Sequence, residues 1–189
     1  MNDQPTILII IGSIREGRNS LRVANYLERF IIENQLAQVE VADLKALNFP
    51  LFFERLQYLT APPADLIAFS QQVKSADAVL IVTPEYNGGY PAALKNALDA
   101  LYDEWQHKPV GLATVSSGSF GGAKVSTQVQ SVLMSVGAMP IAKSFPVPQA
   151  QSNFDESGNP KDQAATDKRA GSFLKELLRA IAANRSLQS

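Results

Sequence analysis

The chain has no cysteine, and among its 189 residues it has a single histidine, His107. Without cysteine it can form no disulfide, thiolate nucleophile, iron–sulfur cluster or cysteine-ligated zinc site. One histidine also excludes a multi-histidine metal site within one chain. We therefore expect no metal centre, and we expect His107 at the protein surface, away from any ligand.

Neither sign of charge dominates, because 17 Lys and Arg residues face 18 Asp and Glu residues for a net charge of −1. No polybasic run is present, so we expect neither nucleic acid nor a membrane surface as a partner. The apolar run at positions 6–11 is too short for a signal peptide or a membrane span. We expect a soluble, cytoplasmic protein.

Strand-like and helix-like segments alternate along the chain. The run TILIII at positions 6–11 is apolar on both faces, which is typical of a strand inside a parallel sheet. Val23, Leu27, Phe30 and Ile31 then recur at helical spacing. Later strands are predicted at 38–44, 77–83, 110–116 and 139–143. Later helices are predicted at 64–75, from Pro91, around 125–136 and at 162–183.

This alternation predicts an α/β fold, because each crossover connection lays its helix on one face of a parallel sheet. Five units fit a flavodoxin-like three-layer α/β/α sandwich with a five-stranded parallel sheet in the order 2-1-3-4-5. No linker or low-complexity segment interrupts the sequence. We expect one domain over residues 1–189.

Three loops carry many Gly, Ser, Asn and Tyr residues. They are GSIREGRNS at 12–20, TPEYNGGYP at 83–91 and SSGSFGG at 116–122. Each follows a predicted strand, and the carboxyl ends of parallel strands meet at one edge of the sheet. The sequence therefore favours one shared ligand site over three unrelated turns.

The first loop combines donors that suit a phosphate group. Ser13 and Ser20 offer hydroxyls, Asn19 an amide, and Arg15 and Arg18 guanidinium groups. The loop leads into a helix whose N-terminal N–H groups favour an anion. The alternative is a helix that Asn19 or Ser20 caps with its side chain, beside two solvated arginines.

Several phosphate-loop and hydrolase classes lack their signatures here. Neither GxxxxGK[ST] nor GxGxxG occurs, which disfavours a nucleoside triphosphatase and a dinucleotide fold. Thr83 stands where a receiver domain needs its phosphoacceptor Asp. The stretch SGSFG at 117–121 departs from GxSxG, and His107 precedes it, contrary to the order in esterases. In the second loop, Gly88 and Gly89 permit positive φ or close approach of the backbone to a flat ring, and Asn87 tolerates left-handed geometry. Tyr86 and Tyr90 supply aromatic surface.

Several segments appear in the order and at the distances of a known family. They are GSxR from Gly12, PEYNGGYPAALKNALD at 84–99, SGSFGG at 117–122 and FDESGNP at 154–160. With them the chain resembles the flavodoxin-like NAD(P)H-dependent FMN reductases, which include quinone, azo-dye and chromate reductases. The resemblance covers nearly the whole chain, and PEYN is its most specific part.

The resemblance implies a set of FMN-binding residues. Those implied to hold the phosphate are Ser13, Arg15, Arg18, Asn19 and Ser20. Those implied to line the isoalloxazine ring are Pro84, Glu85, Tyr86, Asn87 and Gly88. Those implied to close its other edge are Ser117, Gly118, Ser119, Phe120, Gly121 and Gly122.

The resemblance also implies a two-step reaction in which NAD(P)H reduces the flavin and the flavin reduces a small-molecule acceptor. Because the flavin carries the difficult chemistry, no side chain is assigned a catalytic role. Relatives commonly form dimers, so we expect a homodimer or homotetramer. A flavodoxin-type electron carrier or a flavin-binding sensor protein is the alternative, although carriers tend to be more acidic than this chain.

Overall fold

The computed structural model describes residues 4–188, and these residues form one parallel sheet of five strands. The strands are β1 (Thr6–Ile11), β2 (Gln38–Asp43), β3 (Ala78–Pro84), β4 (Pro109–Val115) and β5 (Met139–Val147). Their order is β2-β1-β3-β4-β5, with all neighbouring pairs parallel. The predicted fold class and strand order are confirmed.

Helices cover both faces of the sheet. They are α1 (Asn19–Glu33), α2 (Leu44–Leu47), α3 (Ala64–Ser75), α4 (Ala92–Ala100), α5 (Ala123–Ser135), α6 (Ala150–Asn153) and α7 (Gln163–Gln188). Single 3₁₀ turns lie at Leu56–Tyr58 and Asp103–Trp105. Among residues 4–188 no helix has the length and apolar character needed to cross a bilayer.

Alternate side chains of the central strands feed two separate hydrophobic cores. Ile7, Ile9 and Ile11 of β1 point into a core that helices α1 and α7 complete. Leu8 and Ile10 point into a second core with helices α3, α4 and α5. Burial on both faces explains why the central strands are continuous apolar runs rather than alternating ones.

The predicted limits of most elements agree with the structure to within a few residues, and those of β1 and α3 agree fully. Strand β5 is longer than the predicted 139–143, since it continues to Val147. Pro146 lies in this extension, but a strand at the sheet edge tolerates proline because one side makes no ladder bonds. The short helices α2 and α6 were not predicted.

Candidate functional site

A cleft of about 310 Å³ lies at the carboxyl edge of the sheet, where the loops after β1, β3 and β4 meet. Its size falls at the lower end of the range for small-molecule pockets. The residues that line it are Arg15, Glu16, Gly17, Arg18, Asn19, Ser20, Pro84, Glu85, Tyr86, Val115, Ser116, Ser117 and Gln151. The prediction that the three loops form one site agrees with this geometry.

A hydrogen bond of 2.6 Å between Ser13 Oγ and Tyr86 Oη joins the first loop to the second. Ser13 is fully buried, and its Oγ also accepts a long 3.4 Å bond from the Arg15 N–H. The guanidinium of Arg15 lies over the Tyr86 ring, 5.2 Å from its centroid. Ser13 therefore positions the two loops and does not itself line the cleft.

The N-terminus of α1 opens into the cleft without a side-chain cap. Arg18 occupies the N-cap position, and its side chain makes no hydrogen bond to the first turn. The alternative in which Asn19 or Ser20 caps the helix is therefore wrong. Ser20 is 1% exposed, and its Oγ is the buried side-chain polar atom for which residues 4–188 provide no hydrogen-bond partner.

An orphan hydroxyl at an uncapped helix N-terminus fits a phosphate group. The helix dipole and the free N–H groups of a first turn favour an anion. A buried hydroxyl without a hydrogen-bond partner destabilises the fold by about 1–3 kcal/mol. A ligand oxygen that accepts from this hydroxyl would recover a free energy of that order on binding. The residues present thus fit the phosphate of FMN.

The two arginines of the first loop differ in their surroundings. Arg18 Nη1 donates to Ser13 O and to Asp43 Oδ1, both at 2.6 Å, and its Nη2 contacts Asp43 Oδ2. Arg15 is exposed and forms no ion pair within the part of the chain that the structure describes. Of the two, Arg15 has the guanidinium that is free to meet an anion.

The second loop is a tight hairpin turn. Tyr86 and Gly89 exchange backbone hydrogen bonds of 2.8 and 2.9 Å, and Asn87 and Gly88 between them have φ of 53° and 82°. Two successive residues of positive φ define a type I′ turn, for which Asn-Gly is the preferred pair. Helix α5 supports this turn, because Gln128 Nε2 donates to Gly88 O at 2.8 Å.

Glu85 connects the second loop to the start of α5. Its Oε2 accepts a hydrogen bond of 3.4 Å from the Val125 N–H. Helix α5 begins after Gly122, which has no side chain to cap it, so the carboxylate lies where the helix dipole favours negative charge. The loop that lines the cleft is thereby held on the helix behind it.

The third loop combines packed and open glycines. A Cβ at Gly121 would lie 2.9 Å from Pro146 Cβ, and one at Gly122 would lie 2.8 Å from Thr114 Cβ. A Cβ at Gly118 would meet no atom within 4 Å. Phe120, between them, is 83% exposed. This loop therefore has a fixed base and an open tip beside the cleft.

About half of the predicted site residues line the cleft. These are Arg15, Arg18, Asn19, Ser20, Pro84, Glu85, Tyr86 and Ser117. The others are not part of its lining, namely Ser13, Asn87, Gly88, Gly118, Ser119, Phe120, Gly121 and Gly122. Gln151 of α6 was missed, since no motif surrounds it. Asp43 was missed too, although it ends β2 directly beside Ile11 of β1.

His107 lies away from this cleft. It is exposed, precedes β4 at the opposite edge of the sheet, and donates its backbone N–H to Gly137 O at 2.8 Å. Residues 4–188 hold no group of three or more His, Asp or Glu side chains suited to a metal ion.

Comparison with known proteins identifies relatives along most of the chain. A family model described as NADPH-dependent FMN reductase matches residues 5–152. The NAD(P)H-dependent FMN reductase LOT6 of Saccharomyces cerevisiae is 37% identical over 138 residues, which are 66% of this chain and 71% of that protein. The quinone reductase of Escherichia coli K12 is 32% identical over 178 residues, covering 90% of this chain and 93% of its own.

Solved structures show the same fold. FerB, a flavoenzyme NAD(P)H:(acceptor) oxidoreductase from Paracoccus denitrificans, superposes with a TM-score of 0.79 at 22% identity, covering 95% of this chain and 98% of its own. The resemblance stated from the GSxR, PEYN and SGSFGG segments is thus confirmed by independent comparison. This chain belongs to the NADPH-dependent FMN reductase family, whose enzymes work with FMN and NAD(P)H.

Proposed function

We propose that this chain is a reductase in which electrons from NAD(P)H pass through FMN in the cleft to a small acceptor, with quinones as the main class. Azo dyes, chromate and free flavins are further acceptors of the same kind. The observation that carries the proposal is the orphan Ser20 Oγ at the uncapped N-terminus of α1. A phosphate monoester would accept a hydrogen bond from this hydroxyl and also from the free N–H groups of the helix N-terminus.

The residues of the cleft have separable tasks in this proposal. Ser20, the first turn of α1 and the free guanidinium of Arg15 bind the phosphate. Tyr86, fixed by Ser13, and the hairpin turn at Asn87 and Gly88 place the edge of the ring site. The open tip of the third loop at Gly118 leaves backbone N–H groups accessible to ring heteroatoms.

Bound FMN supplies hydride acceptance from a nicotinamide and electron donation to the acceptor. The protein then has to bind and orient the cofactor and its substrates and to exclude water. We assign no side chain a covalent or obligatory acid–base role. One cleft gathers residues from all three loops. This supports a ping-pong sequence in which nicotinamide and acceptor use the same space in turn.

Steady-state kinetics with both substrates varied test this order of events. Parallel double-reciprocal lines are expected for NAD(P)H and a quinone. Intersecting lines would overturn the shared site in favour of a ternary complex. Negligible NAD(P)H oxidation by flavin-loaded protein would instead favour an electron carrier or a flavin-binding sensor.

We also propose that the chain forms a homodimer or homotetramer through an apolar surface beside α4. Leu51, Phe53 and Tyr58 on this surface are 83%, 77% and 63% exposed. Groups of exposed large apolar side chains commonly mark protein interfaces. Asn96 of α4 holds the segment in place, since it accepts from the Phe52 N–H at 2.6 Å and donates to Pro50 O at 2.9 Å.

The molar mass in solution tests the interface. Phe53→Glu is expected to reduce the assembly to monomers, as measured by light scattering after size exclusion. The matched control is Leu187→Glu, at a side chain that is 84% exposed on α7 outside this surface. A wild-type monomer, or equal dissociation by both variants, would contradict the proposal.

A further inference from the structure

We propose that Arg18 and Asp43 act as a positioning pair for the cofactor phosphate, with Asp43 as an affinity determinant that touches no ligand. The inference rests on the proposed function, because it assumes that the phosphate of FMN binds at the start of α1. It changes the role of Arg18 from the expected phosphate donor to a brace for the loop that binds the phosphate.

The contacts of Arg18 leave its guanidinium little capacity for a ligand. It forms a two-pronged contact with both oxygens of Asp43 and donates to Ser13 O at 2.6 Å. The Arg18 side chain is 8% exposed, and that of Asp43 is 26% exposed. A bidentate pair of this kind fixes geometry as well as charge. The Asp43 carboxylate also neutralises the positive charge that a phosphate would otherwise meet.

The pair of Arg18 and Asp43 connects parts of the site that lie far apart in sequence. Asp43 ends β2, and its register partner Ile11 ends β1, so the carboxylate is held beside the first loop by the sheet itself. Arg18 extends from this anchor to the backbone of Ser13. Ser13 in turn holds Tyr86. The pair therefore fixes the path of the loop between Ser13 and the first turn of α1.

Asp43→Asn separates positioning from direct phosphate binding, because the two roles predict opposite results. If Arg18 bound the phosphate, loss of the carboxylate would free its charge and tighten FMN. If the pair positions the loop, the same change weakens FMN. Asparagine also keeps the second task of Asp43, since it can still accept from the Lys45 N–H, which Asp43 Oδ1 does at 3.0 Å.

The experiment measures dissociation constants of FMN and riboflavin for the apoprotein by flavin fluorescence. Asp43→Asn is expected to weaken FMN by about tenfold, riboflavin much less, and so to lower the FMN/riboflavin preference. Arg18→Lys is expected to do the same, because an ammonium keeps the charge but cannot form the fork. A loss caused by general destabilisation would affect both flavins alike, leave their ratio unchanged, and so contradict the proposal.

Glu40→Gln is the matched control, because it removes one negative charge from β2, the strand that ends at Asp43. Glu40 is exposed and lies outside the cleft, and its side chain makes no hydrogen bond or ion pair within residues 4–188. FMN affinity is expected to stay equal in this variant. Tighter or unchanged FMN binding by Asp43→Asn would overturn the positioning role. Failure of the wild-type protein to prefer FMN over riboflavin would instead overturn the proposed function.

Discussion

Ser13 and Tyr86 are 73 residues apart in sequence, yet their hydroxyls share a hydrogen bond of 2.6 Å. This bond couples the loop that receives the phosphate to the loop that borders the ring. Tyr86→Phe removes it while keeping the aromatic surface. We expect FMN to bind about five- to tenfold more weakly, because one partly buried hydrogen bond contributes about 1 kcal/mol.

Flavin titration of the apoprotein checks this expectation. The matched control is Tyr90→Phe in the same loop, since the Tyr90 hydroxyl has no hydrogen-bond partner in residues 4–188. Equal FMN affinity in Tyr86→Phe and the wild type would show that the two loops are positioned independently.

Ser20→Ala is expected to have opposite effects on stability and on binding. In the apoprotein the variant removes a buried hydroxyl without a partner, so the free energy of unfolding should stay equal or rise by about 1 kcal/mol. FMN affinity should fall by about tenfold, since the phosphate loses a donor. Urea unfolding of the apoprotein and flavin titration measure the two effects. A destabilised apoprotein with unchanged FMN affinity would make Ser20 a structural residue only.

The glycines of the third loop are expected to differ in their tolerance of alanine. At Gly121, φ is +61° and a Cβ would lie 3.2 Å from Val147 N as well as close to Pro146. Gly121→Ala should therefore lower the free energy of unfolding by about 1–3 kcal/mol. Gly118→Ala, with open space around it, should change this quantity by less than about 0.5 kcal/mol. Thermal unfolding of the two apoprotein variants measures these changes. Equal losses of stability in Gly121→Ala and Gly118→Ala would contradict the loop geometry.

Asp77 is expected to make the fold sensitive to acid. Burial raises the pKa of this carboxyl, but hydrogen bonds from Arg185 and from the Thr6 N–H, together with the charges of Arg185 and Lys108, bring it below the usual 3.8. The folded state therefore binds this proton less readily than the unfolded state. The resulting stabilisation is present above about pH 4 and is lost as the pH falls through the lowered pKa.

Unfolding in urea at about pH 6 and about pH 3 measures this loss. Asp77→Asn should be less stable than the wild type at the higher pH. Its free energy of unfolding should also fall less on acidification than that of the wild type. Glu40→Gln is the control, since the side chain of exposed Glu40 makes no hydrogen bond or ion pair within residues 4–188. If acid lowered the stability of Asp77→Asn and of the wild type equally, Asp77 would not be a cause of the acid sensitivity.

The sequence predicted those features that depend on local pattern. Buried strands read as apolar runs, the amphipathic period of α1 was evident, and Asn87-Gly88 indicated a turn with positive φ. Contacts between distant segments had no local signal. Arg18 was read as a phosphate donor because its partner Asp43 lies 25 residues away and meets it only once β2 pairs with β1. Gln151 follows β5, whose continuation from Lys143 to Val147 the sequence did not indicate.

The central claim is that the cleft beside α1 binds FMN and passes electrons from NAD(P)H to an acceptor. The most direct test is the visible spectrum of the FMN-loaded protein, recorded anaerobically before and after NAD(P)H is added and again after a quinone is added. The account predicts that NAD(P)H bleaches the bound flavin, that the quinone restores its colour, and that Ser20→Ala protein releases FMN more readily. FMN that does not bind, or bound FMN that NAD(P)H leaves oxidised, would contradict it.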